Sequence, residues 1–210
     1  LTGDLDGDGF EEAATILWES SGGSGTRLYV AVMGTGENTV DNLGTASIGD
    51  RVQIRSGGIE NGKVILDVIR AGPEDAACCP TQKATLTWAL SENGLSQIAE
   101  NVTGIVSLAD LEGPEWTLIE LASHQLIDEE PKITLNFEQG RVSGNAGCNS
   151  YFAEITASAP GELDFTGMGA TRMVCTEPVM DLERRYLKAL ASCSRYSFLT
   201  GGLVLSSSAD

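Results

Sequence analysis

The chain has 210 residues, of which 41% are hydrophobic and 20% are charged, a composition typical of a globular protein with one large core or two small ones. Asp and Glu number 30 against 13 Lys and Arg, and the formal net charge of −17 excludes proteins that bind nucleic acids or anionic membranes through a basic surface. No apolar run approaches the roughly 20 residues that cross a bilayer, so no transmembrane segment is predicted. The chain begins at Leu1 inside a motif, which is compatible with a signal segment or lipid anchor upstream.

The first half of the sequence consists of short apolar runs separated by glycine-rich turns, the pattern of antiparallel strands. Helical periodicity is absent, so we expect a meander of about five strands with one face covered. The first two strands would form a hairpin with a flexible tip at residues 20–25. The predicted strands are residues 13–19, 27–33, 51–55, 63–70 and 83–90.

A polar segment containing Gly113 and Pro114 predicts a domain boundary, with one β-rich domain over residues 1–108 and a second domain over residues 113–210. In the second domain one helix is predicted near Pro178, because Leu182, Tyr186 and Leu190 repeat at helical spacing. The fold class is therefore α+β, mostly β, with an antiparallel sheet domain followed by an incomplete β-barrel that one helix covers. Strands of the second domain are predicted at residues 115–121, 132–137, 141–144, 151–156, 196–199 and 203–205.

An acidic loop at the start of the chain is the sharper of two chemical signals. Asp4, Asp6 and Asp8 occupy positions 1, 3 and 5 of a loop with glycine at position 6, a spacing that directs carboxylates at one hard cation. Phe10 would add its backbone carbonyl, and Glu12 a carboxylate, directly or through water. A strand follows instead of a helix, so the loop resembles the short calcium loops of FG-GAP-type β-modules and not an EF-hand. We predict structural Ca²⁺ here, against the alternative of a frayed acidic terminus that binds nothing.

The second signal is a set of motifs spread over the C-terminal half, in order GNAGCNSYF, ATRMVC and the helix DLERRYLKAL. With the flanking WTL, KITLNF and GLVL segments, these motifs resemble the META domain family, whose bacterial type is the heat-shock protein HslJ. The resemblance implies a small β-rich envelope domain with one helix, found in lipoproteins and stress-induced proteins, and implies no known reaction. The first half is similar to a domain that precedes META modules in some bacterial proteins.

Two cysteines, Cys148 and Cys175, lie in the two motifs that carry the META resemblance. They could be a redox or nucleophilic pair, or a structural element consisting of a disulfide or two buried thiols. We favour the structural interpretation, in which a bridge would close a loop of about 27 residues and stabilise the fold by around 3 kcal/mol.

The remaining cysteines are Cys78, Cys79 and Cys193, and none of the five lies in a CxxC motif. Cys78 and Cys79 are adjacent, and a bridge between them would be strained because a trans peptide holds the Cα atoms about 3.8 Å apart. The sequence leaves open whether they form a vicinal disulfide. Cys193 is predicted to be unpaired.

Catalysis has little support in the sequence. His124 is the single histidine and no GxSxG elbow is present, so a Ser-His-Asp device would depend on one residue predicted to lie on the surface. Arg172 is a candidate ligand for an anion, with an ion pair to a carboxylate as the alternative. The tryptophans Trp18, Trp88 and Trp116 lie in strand patterns and are expected in the core.

These observations predict a non-enzymatic bacterial envelope protein, periplasmic or associated with the outer membrane, that acts as a stress-related binding or scaffolding module with a structural Ca²⁺ site. Its partner would be an unidentified protein or apolar ligand and not a nucleic acid. One alternative is a carrier of a lipid or other apolar ligand inside the META barrel. Another is a thiol- or metal-dependent enzyme that uses Cys175 or the acidic loop.

Overall fold

The computed structural model describes residues 1–20, 22, 25–35, 39–76, 78–126 and 130–207. The chain divides into two compact units. The first contains residues 1–106 together with 198–202, and the second contains the other described residues from 107 onward. Residues 21, 23 and 24 of the predicted hairpin tip lie outside the described residues.

The first unit contains two four-stranded antiparallel sheets, each with its strands in chain order. The strands of the first sheet are β1 (Thr2–Gly3), β2 (Glu12–Glu19), β3 (Arg27–Thr35) and β4 (Val40–Asp50). The strands of the second sheet are β5 (Gln53–Glu60), β6 (Lys63–Arg70), β7 (Gln82–Ser91) and β8 (Gly94–Ile105).

Both sheets contribute side chains to one hydrophobic core. Alternate residues of β3, β6 and β7 point into it, because successive side chains of a strand point to opposite faces of the sheet. Val30 and Val32 come from β3, Leu66 from β6, and Leu86 and Trp88 from β7, and all five are at most 2% exposed. The unit is therefore a β-sandwich whose strands were predicted in part by their alternating sequence.

The two-residue strand β1 of the sandwich was not predicted, and neither were the long strands β4 and β8. Their sequences are rich in glycine and polar residues, and most of their side chains are half-buried or exposed. Such strands form because neighbouring strands offer backbone hydrogen bonds, and not because their own side chains favour a core. The connection between the strands predicted at residues 51–55 and 63–70 is also shorter than expected, since β5 continues to Glu60.

The second unit opens with a 3₁₀-helix (Leu108–Leu111) and contains a five-stranded antiparallel sheet in the order β15-β14-β13-β12-β9. The strands of this sheet are β9 (Trp116–Thr117), β12 (Thr134–Glu138), β13 (Arg141–Asn145), β14 (Ser150–Thr156) and β15 (Asp164–Ala170). Two hairpins are formed by β10 (Glu120–Leu121) with β11 (His124–Gln125) and by β16 (Arg195–Leu199) with β17 (Gly202–Ser206). Residues 198–202 of the second hairpin belong to the first unit.

One helix, α1 (Glu177–Ser192), packs on this sheet. Pro178 lies in its first turn, where the missing N–H costs no helical hydrogen bond. Its buried side chains are Tyr186 and Leu190, two of the three residues whose spacing predicted the helix. The strand predicted at residues 115–121 is divided into β9 and β10, and the glycine-containing β15 was missed.

The predicted fold class is confirmed: the protein is mostly β, with antiparallel sheets and a single helix among the described residues, and without a closed barrel. No helix in the described part of the chain is both long enough and apolar enough to cross a membrane.

Candidate functional sites: an acidic loop and a disulfide-linked cluster

The acidic loop between β1 and β2 brings three carboxylates together. One oxygen each of Asp4, Asp6 and Asp8 lies within 4.8 Å of the others, and all three side chains are exposed. Gly7 and Gly9 have φ values of 83° and 89°, which L side chains rarely adopt, so glycine is needed for this tight turn. The loop therefore presents three oxygen ligands of the kind that Ca²⁺ prefers.

Hydrogen bonds inside the loop orient these carboxylates. Asp4 accepts from the N–H groups of Gly7 (2.7 Å) and Gly9 (3.2 Å). Asp6 Oδ1 accepts from the Asp8 N–H at 3.0 Å, and Asp8 Oδ1 accepts from the Phe10 N–H at 2.8 Å. The second oxygens of Asp6 and Asp8 have no part in these turn bonds.

Glu12 differs from the three aspartates, although it was predicted as a ligand with them. Its side chain is only 4% exposed, and its Oε2 accepts a hydrogen bond from the Leu5 N–H at 2.7 Å. Leu5 is itself part of the hydrophobic core. Glu12 therefore ties the loop to the sandwich, and the group of converging oxygens consists of Asp4, Asp6 and Asp8.

In the second unit, a disulfide joins Cys148 to Cys175, with an S–S distance of 2.02 Å and a Cα–Cα distance of 6.0 Å. The predicted disulfide between Cys148 and Cys175 is confirmed. The bridge connects the segment between β13 and β14 to the segment between β15 and α1. It closes a chain segment of 27 residues.

Beside the bridge, Asn149 forms the centre of a hydrogen-bond cluster that the sequence did not reveal. This side chain is 4% exposed. Its Oδ1 accepts from the Met173 N–H and from the Thr171 hydroxyl, both at 2.7 Å. Its Nδ2 donates to Glu183 Oε1 at 3.0 Å, and its backbone N–H donates to Glu183 Oε2 at 2.7 Å. The cluster thus links the two motif segments to α1.

Arg172 lies on the segment that this cluster holds, between Thr171 and Met173. Its side chain is exposed, and it has no ion pair with any residue in the described ranges. Met173 and Val174 are exposed as well, at 58% and 88%. A role for Arg172 in anion binding remains a prediction.

The inner face of the META-type sheet is filled with side chains, among them Phe137, Val142 and Tyr151, each at most 2% exposed. A shallow groove of about 320 Å³ lies outside it, next to the first turns of α1, and its lining includes His124, Pro131, Val179 and Leu182. The packed side chains of the inner face give no support to a lipid carrier, and this role stays a prediction.

Two tyrosines meet under α1. The hydroxyl groups of Tyr151 and Tyr186 are hydrogen-bonded to each other, and Tyr151 also donates to the Thr134 carbonyl at 2.9 Å. The rings are 5.5 Å apart in an edge-to-face arrangement. Burial raises the pKa of Tyr151 to about 12, and burial together with the neighbouring Tyr151 raises the pKa of Tyr186 well above its ordinary value.

This pair makes the fold sensitive to alkaline pH. An unfolded tyrosine ionises near pH 10 and the folded pair keeps its protons, so the stabilisation is complete below pH 10 and is lost as the pH rises towards 12. We expect the free energy of unfolding to fall by about 1.4 kcal/mol per pH unit for each of the two tyrosines over this range. Urea unfolding at several pH values measures the slope, and Tyr186→Phe should reduce it. An equal slope in the parent protein and the variant would contradict the assignment.

The other candidate residues are dispersed. Cys78 and Cys79 are paired with each other in the connection between β6 and β7. Cys193 is the free cysteine of the chain; it is half-buried, and burial raises the pKa of its thiol. His124 is exposed, as predicted. The expectation for Trp18 was wrong: it is 74% exposed at the end of β2, because the alternation of the strand continues beyond the area that the core covers.

The second unit is thus a small β-rich domain with one helix, a disulfide and a buried asparagine at the junction of its two motif segments. Comparison with protein-family models matches residues 109–210 to the META domain. This part of the chain belongs to the META domain family, and the predicted resemblance is confirmed. Comparisons with curated proteins and with solved structures returned no match.

Proposed function

We propose that this protein is a non-enzymatic module of the bacterial cell envelope, in which a β-domain with structural Ca²⁺ (residues 1–108) precedes an HslJ-like META domain (residues 113–210). It acts in stress-related binding or scaffolding. The META domain match over residues 109–210 is the observation that carries the proposal. The particular binding partner is a protein or an apolar ligand.

The cysteine chemistry supports a location outside the cytoplasm. Cys148 and Cys175 are joined in a disulfide, and disulfides persist in oxidising compartments such as the periplasm. A cytoplasmic protein of this family would keep these two thiols reduced and would lose the loop closure that they provide.

The arrangement of the described residues supports a role without catalysis. Cys175, the candidate nucleophile of the enzyme alternative, is held in the disulfide and offers no thiolate. His124 lies exposed in a two-residue strand, and the converging carboxylates of the acidic loop are accompanied by no histidine or cysteine. The groups present fit binding and scaffolding better than proton transfer or nucleophilic attack.

The attachment of the acidic loop to the sandwich supports a structural role for Ca²⁺. The loop lies between β1 and β2, and Leu5 within it is buried in the core of the sandwich. Three exposed carboxylates repel one another unless a cation neutralises them, so metal binding would hold the N-terminal strand in place.

We therefore expect millimolar Ca²⁺ to raise the melting temperature of the protein by several degrees relative to EDTA. A ligand at a hundredfold excess over its dissociation constant stabilises the folded state by about 2.7 kcal/mol. Differential scanning calorimetry measures the shift, and Asp6→Ala/Asp8→Ala should abolish it. The variant Glu92→Ala/Glu138→Ala removes the same charge from exposed positions outside the loop and should keep the shift. An equal shift in both variants, or none in the parent protein, would exclude a metal site in this loop.

A further inference from the structure

The connection between β6 and β7 presents two adjacent cysteines to solvent. Cys78 is exposed, Cys79 is half-buried, and their sulfur atoms are in contact. The Cys79 N–H donates to the Ala76 carbonyl at 2.9 Å. This pair lies in the first unit, outside the META domain.

The connection is held in shape by Asp75 and not by the cysteines. Asp75 Oδ2 accepts from the Gly72 N–H at 2.8 Å and from the Thr81 N–H at 2.6 Å, and Oδ1 accepts from the Thr81 hydroxyl at 2.8 Å. The Gly72 N–H is the main cause that lowers the pKa of this carboxyl group, so Asp75 stays ionised at neutral pH. Both ends of the connection are therefore fixed whether or not the two sulfurs are bonded.

A bond between consecutive residues also does little for the stability of the fold. A disulfide stabilises mainly by closing a loop in the unfolded chain, and a bridge between neighbours leaves no residues in the loop. The Cys148–Cys175 bridge closes 27 residues. Its Cys175 is half-buried like Cys79, but its Cys148 is only 3% exposed whereas Cys78 is exposed. The two pairs thus differ in both structural contribution and access for a reagent.

We propose that Cys78 and Cys79 are a reducible pair that, once reduced, forms a two-thiol site for thiophilic ions and trivalent arsenicals. Reduction takes two electrons and two protons from a dithiol reductant, which becomes a disulfide while the pair becomes two thiols. An aryl arsenoxide then forms two As–S bonds with the pair, and the two thiol protons leave with the arsenoxide oxygen as water. Thiolates are soft ligands, so the reduced pair would bind thiophilic ions and trivalent arsenic in preference to hard cations such as Ca²⁺.

The test uses the full chain with Cys193→Ser, so that the half-buried free thiol does not contribute. The native protein is treated briefly with dithiothreitol, freed of reductant, and incubated with phenylarsine oxide. We expect two thiols per chain, which peptide mapping after alkylation assigns to Cys78 and Cys79, and one aryl-arsenic group per chain by intact mass. Denatured protein treated with the same reductant should release four thiols.

Three matched variants decide the outcome. Cys78→Ala leaves one thiol and should lose the arsenic adduct in the presence of a competing monothiol, whereas Cys148→Ala/Cys175→Ala should retain it. Cys78→Ser/Cys79→Ser should melt within about 2 °C of the parent, because the pair closes no loop and lies on the surface. A native protein that releases no thiol from the pair, an adduct that survives Cys78→Ala, or a large loss of stability in the double serine variant would overturn the proposal. None of these readouts depends on Ca²⁺ or on the META domain.

Discussion

Replacing Asn149 with alanine is expected to lower the free energy of unfolding of the META domain by about 3 kcal/mol. The substitution leaves the Met173 N–H and the Thr171 hydroxyl without their acceptor, and it removes one of the two donors to Glu183. Each of these groups then pays a desolvation penalty unless water reaches it, and Asn149 is only 4% exposed. For a unit of about 100 residues this loss corresponds to a melting temperature lower by roughly 10–20 °C.

Urea unfolding under non-reducing conditions measures this effect, with Ser150→Ala as the matched control. Ser150 is the next residue along the chain, and its side chain is exposed, so its removal should change stability by about 0.5 kcal/mol or less. Asn149→Asp keeps the acceptor for Met173 but brings a carboxylate to Glu183, and it should be nearly as unstable as the alanine variant. A loss below about 1 kcal/mol for Asn149→Ala would show that water replaces the cluster at little cost.

Removal of the Cys148–Cys175 bridge, as Cys148→Ala/Cys175→Ala, is the second change with a large expected effect. The chain-entropy relation for a closed segment of 27 residues predicts a loss of about 3 kcal/mol. The small side chains left behind add little cavity, so most of the effect comes from the released unfolded chain. Equilibrium unfolding of the variant against the oxidised parent protein measures it.

The reduced parent protein provides an internal comparison for this variant. Full reduction should destabilise the parent by the same amount, whereas the variant should not respond to reductant. Cys193→Ser is the control, since Cys193 has no disulfide partner and its substitution should leave the response to reductant intact. Combining this variant with Asn149→Ala should not be additive, because the bridge and Asn149 both hold the segment of residues 171–175. Equal stability of variant and parent would contradict a structural role for the bridge.

Local patterns predicted those parts of the fold whose cause is local. Strand β6 has the predicted bounds, Lys63–Arg70, because its alternating apolar side chains match the single face that the core covers. Helix α1 was predicted from Leu182, Tyr186 and Leu190, and two of these three are buried. The acidic loop could be recognised as well, because all of its converging carboxylates lie within five consecutive positions.

Other features depend on partners that are distant in sequence. Strand β8 is polar and forms because its backbone pairs with that of β7. No pattern within residues 94–105 predicts this pairing. Trp18 continues the alternation of β2 but lies 74% exposed, since the strand extends past the core. Asn149 and Glu183 are separated by 34 residues and meet only when α1 packs on the sheet.

The sequence by itself determined the α+β class, the single helix, the acidic loop and the META family, because each is expressed in residues that are neighbours or recur at a regular spacing. Only the tertiary structure decided that Glu12 anchors the acidic loop through Leu5, and that Cys78 and Cys79 lie on a connection held by Asp75. It also decided that Asn149 is the centre of the hydrogen-bond cluster that links the two motif segments to α1. The physical reason is that a buried polar group takes its role from whichever hydrogen-bond partners the packing brings to it, and those partners have no fixed distance along the chain.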